Sequence, residues 1–374
     1  MITTSTPRLP EMDFGRGLAV FLMMLVHTLW MYGDTSTQQE STLGHIIHFV
    51  GKGTAAFLVF MGMSFILSKN QSTKAAIFRG LLILAFAYMM NFLKFIVPLE
   101  IFGTMPEAFV NAYGWQSPLT AGQLGYIFLT GDILQMAGIA LFILAVVRHY
   151  VKNKWGYLAI GLLIAAVSRQ TSGYEPGIEG LNYIARLFFS DHYQVYFPVF
   201  PWMSFILFGM FLGKLVSEHK EEPHFMFNKL PLIASVALLI GAGLCAWNFQ
   251  YHFGNFFHLG PGGTLYLLGI NLWLLYLVHK MVKSKMNNAI KRFFYFCSAR
   301  VTSMYIIQWT LICWGMGIIG FQTLNAWQTL AMMPIVVLCT VLIQILKDKI
   351  ELAITQRKGS AVSRSSQLAA TGSN

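Results

Sequence analysis

Charged side chains are scarce in this chain. Asp, Glu, Lys and Arg make up 11% of its 374 residues, whereas a soluble domain carries about 25%. With 56% hydrophobic residues beside so little charge, a water-soluble globule is excluded and much of the surface must face lipid. Acidic residues are the scarcest, 15 against 26 Lys and Arg, for a formal net charge of +11. That excess does not point to nucleic acid, because it is spread over short loops between apolar runs rather than gathered on a polar domain. Cysteine is rare as well. Cys245, Cys297, Cys313 and Cys339 all lie in apolar runs with no CxxC spacing, which excludes a disulfide framework and a cysteine metal site. No P-loop, HExxH or GxSxG pattern occurs, which argues against nucleotide hydrolysis and serine or zinc peptidase chemistry.

What the chain has in abundance is long apolar runs. A membrane crossing needs about 20 residues, within a range of about 17–25. Ten runs are candidates: 14–32, 47–68, 77–97, 126–147, 155–168, 195–214, 231–249, 263–282, 296–318 and 327–346. The fifth is the shortest and ends at Ser168-Arg169. The first is not a cleaved signal peptide, being too long, preceded by Glu11 and Asp13, and without a small-residue cleavage site. Loop charge tests the count independently. The N-terminus, the loops after runs 2, 4, 6 and 8 (with Lys214 and Lys280 at the ends of runs 6 and 8 counted in), and the tail hold 19 of the 26 basic residues. The loops after runs 1, 3, 5, 7 and 9 hold two, Arg169 and Arg186, and the other five (Arg16, Lys52, Arg79, Lys94, Arg300) lie in or beside runs. This alternation predicts an all-α polytopic protein of about ten transmembrane helices with both termini cytoplasmic. Residues 1–346 form one transmembrane domain and 347–374 a largely disordered cytoplasmic tail. The loops expected outside, 98–125, 169–194 and 250–262, are long and rich in Gly, Pro and aromatics, which favours a functional role for them. No internal repeat is evident.

In RGLAVFLMMLVH (16–27) an apolar run is closed by an arginine and a histidine. Eleven residues of α-helix turn through about 1100°, about 20° from full register, and rise about 16 Å. Arg16 and His27 therefore share one face, with Asp13 within about 60° of Arg16. Ionisable groups inside a membrane normally point into the bundle or a watery cavity. Arg16 reads either as an interface anchor paired with Asp13 or as a phosphate ligand at the cytoplasmic mouth. His27 reads either as a polar residue bonded to a neighbouring helix or as a group that takes a proton from an acceptor. The rise between them matches the reach of an extended pantetheine arm.

Other residues widen the candidate site. Arg79 lies at the same depth as Arg16, so the two cations can share one phosphate; a plain anchor is the competing reading. Lys52 and Lys94 sit near outer ends, where snorkelling accounts for them. Asp132, about two turns into the fourth run, either orients His27 or forms an ion pair with Lys94. Gln135, one turn deeper, is a candidate oxyanion donor or an interhelical bond. Tyr305 and Gln308 share a face and either line the cavity or tie helices together. Trp202, after Pro201, reads as an interfacial aromatic. His45 and His48 share a face, but two ligands without a third make no metal site, and none is expected.

RLPEMDFGRGLAVFLMMLVH (8–27) resembles the first helix of integral-membrane acyltransferases, with the Arg-x10-His pattern of the acyltransferase-3 family. GKGTAAFLVFMGMSFILSK (51–69) and FPVFPWMSFILFGMFLGK (197–214) resemble the heparan-α-glucosaminide N-acetyltransferase-like branch. VTSMYIIQWTL (301–311) resembles a late helix of the wider superfamily. The likeness runs from about residue 8 to 345. It implies transfer of an acyl group, usually acetyl from acetyl-CoA, to a sugar hydroxyl or amine, with donor and acceptor on opposite sides of the membrane. By position, Arg16 is the donor-side arginine, His27 the catalytic histidine, and Trp202 part of the acceptor mouth. One departure stands out. The lysosomal heparan enzymes carry their essential histidine in the loop after this helix, whereas loop 33–44 here has none and the next are His45 and His48.

The expected function is a membrane-embedded acyltransferase, in the cell inner membrane if the source is bacterial. It takes acetyl-CoA at Arg16 and Arg79 on the cytoplasmic side and a sugar or glycoconjugate acceptor from outside. His27 is base or acyl carrier, Asp132 orients it, and Gln135, Trp202, Tyr305 and Gln308 bind the acceptor. A secondary transporter of a small polar or anionic solute is the rival, since intramembrane charges and Gly-rich spans suit a carrier too. Oligomeric state is open, a homodimer included.

Overall fold

A computed structural model describes residues 9–68, 72–178, 180–219, 222 and 225–371. Every regular element among them is helical. Ten long helices follow in order: α1 (Pro10–Tyr32), α2 (Thr42–Leu67), α3 (Thr73–Ile101), α4 (Ile133–Tyr150), α5 (Lys154–Thr171), α6 (Val199–Glu218), α7 (Phe225–Trp247), α8 (Pro261–Lys283), α9 (Val301–Ile319) and α10 (Ala326–Thr371). All but α5 are long and apolar enough to cross a membrane, nine among the described residues. The chain is an all-α, multi-pass membrane protein. The expected fifth run is present as α5, 18 residues long, but Lys154 and Arg169-Gln170 at its ends make it more polar than the rest. The last helix passes residue 346, where the tail was expected to begin, and runs on to Thr371.

Burial orders the bundle. In α6, 83% of the apolar window is buried, against 28% in α7 and in α10. Helix α6 is thus the central post, while α7 and α10 turn Leu232, Leu239, Leu338 and Leu346 outward, as lipid-facing helices do. Close approach at the centre depends on small residues. A Cβ on Gly62 of α2 would lie 1.9 Å from the Ile206 carbonyl of α6, and one on Gly209 would lie 2.1 Å from the Val59 carbonyl. Only hydrogen fits at such a crossing.

Three interruptions shape the site. Helix α2 breaks at Lys52-Gly53, where Asn271 of α8 donates to the Lys52 carbonyl at 3.0 Å and supplies a bond the backbone has lost. The last turns of α3, Phe92–Ile101, are wound as a π-helix containing Pro98, which has no N–H to give. The fourth run, expected from 126, is two helices, Ala121–Phe128 and α4, with an extended step between them. Asp132 is therefore not two turns inside a helix but the N-cap of α4, its Oδ1 accepting from Ile133 N at 2.7 Å. Buried Asn91 holds that step by donating to the carbonyls of Phe128 and Thr130. Gly131 pairs with the 194–196 strap through Gly131 N to Gln194 O and Tyr196 N to Gly131 O.

Candidate active site

Two large cavities enter the bundle from opposite ends. The end with the long loops opens into about 920 Å³, lined by His27, Trp30, Lys94, Asp132, Tyr305 and Trp309, with Tyr113, Tyr126, Arg186, Tyr193, Tyr196 and Phe257 higher up. The other end opens into about 780 Å³, lined by Arg16, Arg79, Arg300 and Lys347 with the carboxylates Asp348 and Glu351, and walled by Phe57, Met61, Phe65, Leu134 and Leu141. Their floors lie close together. Along α9 the lining passes from one cavity to the other between Ser303 and Tyr305, and along α4 between Leu134 and Ile133. Two residues of helix rise about 3 Å.

His27 stands on the wall of the first cavity. Its ring stacks on Trp309, centroids 4.1 Å apart, with Tyr305 edge-on at 5.8 Å and Trp30 at 5.7 Å. Its Nδ1 is buried and has no partner among the described residues. Beside it lies a buried charge network. Lys94 Nζ is 3.3 Å from Asp132 Oδ2, Tyr305 donates its hydroxyl to Asp132 Oδ1 at 3.1 Å, and the Lys94 ammonium lies 4.7 Å over the Trp309 ring. Asp132 is thus bonded to Lys94 and Tyr305 rather than to His27. Lys94 does not snorkel: it is 3% exposed. The opposite charge of Asp132 holds it in place, and the π-helical winding of α3 is the local feature that distinguishes its segment.

The remaining expected residues divide clearly. Tyr305 lines the cavity. Gln135 does not; its Oε1 accepts from Asp132 N at 3.0 Å and its Nε2 donates to Thr130 O at 3.1 Å, so both ends serve the helix cap. Gln308 is fully buried, outside both linings, and its amide has no partner among the described residues. Trp202 is not interfacial. It is fully buried and donates to the Phe257 carbonyl at 2.7 Å, so it holds the loop whose Phe257 lines the cavity. His45 and His48 are exposed, with Trp30 Nε1 3.4 Å from His48 Nδ1, and neither is in the lining of the two large cavities. No group of three or more His, Cys, Asp or Glu that could hold a metal occurs among the described residues.

On the other side Arg16 and Arg79 do share a cavity. Arg16 donates to Asp13 at 2.7 Å and to Ser64 Oγ at 3.4 Å, which ties its guanidinium to both α1 and α2. Sequence reasoning missed Lys94, Trp309 and Arg186 as site residues. Arg186 donates to both oxygens of Glu175, at 2.6 and 3.2 Å, and to Gln194 at 2.9 Å. The signal was present, since Arg186 is one of two basic residues that break the loop-charge alternation. Around it the aromatic side chains stay neutral. Burial pushes the Tyr113 phenol well above its usual range and that of Tyr196 up to about 12.

Residues 8–251, more than half of the chain, match the family described as heparan-alpha-glucosaminide N-acetyltransferase, catalytic. A comparison with curated proteins finds no match. The matched stretch covers α1 to α7, and with them Arg16, His27, Arg79, Lys94, Asp132 and Arg186.

Proposed function

The chain belongs to the heparan-α-glucosaminide N-acetyltransferase catalytic family, and on that premise we propose that it transfers acetyl across the membrane from acetyl-CoA to an amino-sugar-bearing glycan. What carries this reading is one observation. A single helix, α1, contributes Arg16 to the cationic cavity and His27 to the aromatic one. Acetyl-CoA enters at the short-loop end, whose excess of basic loop residues supports a cytoplasmic position. Arg16 and Arg79 hold its phosphates, and the apolar wall of Phe57, Met61 and Leu134 takes the pantetheine arm. The acceptor enters at the long-loop end, where Tyr113, Tyr193, Tyr196 and Phe257 offer faces for sugar rings.

At the meeting point His27 is the general base. It takes the proton of the acceptor nitrogen or hydroxyl as that atom bonds to the acetyl carbon; the carbon–sulfur bond breaks and the thiolate leaves toward Arg16. The Lys94 ammonium steadies negative charge on the acetyl oxygen. Asp132 balances Lys94 and, once His27 is protonated, the imidazolium as well. Trp309 and Tyr305 fix the imidazole plane by stacking and edge contact.

The test is turnover by purified protein given acetyl-CoA and glucosamine, following free thiol and acetylated sugar together. We expect His27→Ala to lose about 100-fold or more, the range of a general base. Arg16→Lys should raise KM for acetyl-CoA about tenfold with kcat nearly unchanged, because a lysine cannot reproduce a bidentate phosphate contact. Equal thiol release by wild type and His27→Ala would remove His27 from the chemistry. Accumulation of unmodified solute in vesicles, with no thiol released, would make the protein a carrier.

A further inference from the structure

Only two of the 26 basic residues lie in the stretches expected as long outer loops, Arg169 at the end of α5 and Arg186 in the short helix Leu181–Phe189. Arg186 lines the aromatic cavity. Arg169 lines a separate polar cavity of about 450 Å³ beside it, together with Ser172, Asp191, Gln250, Asn255 and His258. The two cavities share their walls. In the 191–194 strap Asp191 faces the second cavity, and His192, Tyr193 and Gln194 the first; in the 254–258 loop Asn255 and His258 face the second and Phe257 the first. Asn255 and Tyr193 meet across the partition, Nδ2 to hydroxyl at 3.4 Å.

The lining asks for a ligand that both donates and accepts. His258 is 4% exposed and its Nε2 lies 3.1 Å from the Val195 carbonyl. A carbonyl only accepts, so Nε2 carries the proton and Nδ1 is a bare acceptor. Burial lowers the pKa of His258 and keeps the ring neutral. That Nδ1 is buried without a partner among the described residues, and so is the Ser172 hydroxyl. Arg169 faces the same space with no ion pair or hydrogen bond among the described residues. Asp191 brings acceptors opposite it, its exposed carboxylate otherwise 3.2 Å from His192. Donor guanidinium, donor–acceptor hydroxyl and amides, and acceptor imidazole and carboxylate around one small volume suit a ring bearing several hydroxyls, each of which donates and accepts. An orphaned buried acceptor is costly until such a partner arrives.

We propose that this second cavity is a saccharide subsite, which holds the sugar unit adjacent to the one placed at His27 and so selects an oligosaccharide over a monosaccharide acceptor. The inference rests on the acetyl-transfer reading for the identity of the first sugar and adds the second.

The experiment compares glucosamine with its β-1,4-linked dimer as acceptors, in wild type and in Arg169→Gln and Asp191→Asn, with calorimetric binding of both sugars to the same samples. Wild type should show a KM for the dimer about tenfold below that for the monomer, the worth of one charge-assisted hydrogen bond. Both variants should lose that advantage while turning over the monomer as wild type does, which also proves them folded. Equal KM for the two sugars in wild type, or variants that keep the preference, would overturn the subsite. If neither sugar is acetylated, the acetyl-transfer reading fails and binding decides the subsite alone. Tighter binding of the dimer that Arg169→Gln abolishes sustains it, and dimer binding no tighter than the monomer, or unaffected by Arg169→Gln, removes it.

Discussion

Lys94, Asp132 and Tyr305 form the unit on which the site's electrostatics turn. Lys94 and Asp132 are 3% and 6% exposed, so each charge is largely shielded from bulk water. Removing one partner of such a pair costs about 3–5 kcal/mol, chiefly because the other is left buried and charged. Lys94→Met or Asp132→Asn alone should therefore lower the melting temperature in detergent sharply. The double variant should regain much of the loss and stay inactive, and a double as unstable as the sum of the singles would contradict the pairing. At the mouth, the Arg186 guanidinium beside Glu175 holds that carboxyl below its usual range. A depressed carboxylate stabilises above its unfolded pKa and loses that contribution as pH falls through its folded one. Acceptor KM should then rise as pH drops below the ordinary carboxylate range, and Glu175→Gln should flatten that rise. An unchanged profile in Glu175→Gln would detach the clamp from acceptor binding. Of the residues that line the two large cavities, Arg16, Arg79, His27, Asp132 and Tyr305 were singled out in the sequence. Lys94 was visible too, but an isolated sequence cannot tell a snorkelling lysine from one met by a carboxylate on another helix.

Among the elements, the long uniform helices were readable and the broken ones were not. Apolar run length places α1 and α8 within four residues and α7 and α9 within six, because lipid demands unbroken helical backbone. Breaks are set by partners far away in sequence: Asn271 for α2, Asn91 for the step before α4. One break did carry a local signal. Asp132-Ile-Leu-Gln135 has the spacing of a capping box, and both of its bonds are made. The interruptions give the site its depth, because they admit Lys94 and Asp132 to the interior. The α2–α6 crossing gives it rigidity. Gly62→Ala would drive a methyl group into the Ile206 carbonyl and should destabilise by about 3 kcal/mol. Gly243→Ala, where nothing lies within 4 Å, should be neutral in the same melting assay. Equal effects would show that the crossing is not tightly packed.

At the scale of the whole molecule, two unlike cavities approach one histidine from opposite ends. The short-loop end is lined by four cations and two carboxylates over an apolar wall, and the long-loop end by aromatic rings over a buried charge pair. The loop-charge alternation sets the two ends apart, and the two arginines that interrupt it line the two cavities of the long-loop end. The most direct test is a sided assay in sealed vesicles of known protein orientation, with acetyl-CoA on one face and glucosamine on the other. Acetylated sugar should form on the sugar's face when acetyl-CoA meets the short-loop end, and not with the two reagents exchanged or with His27→Ala. Transfer that requires both reagents on one face, or that survives in His27→Ala, would contradict the account.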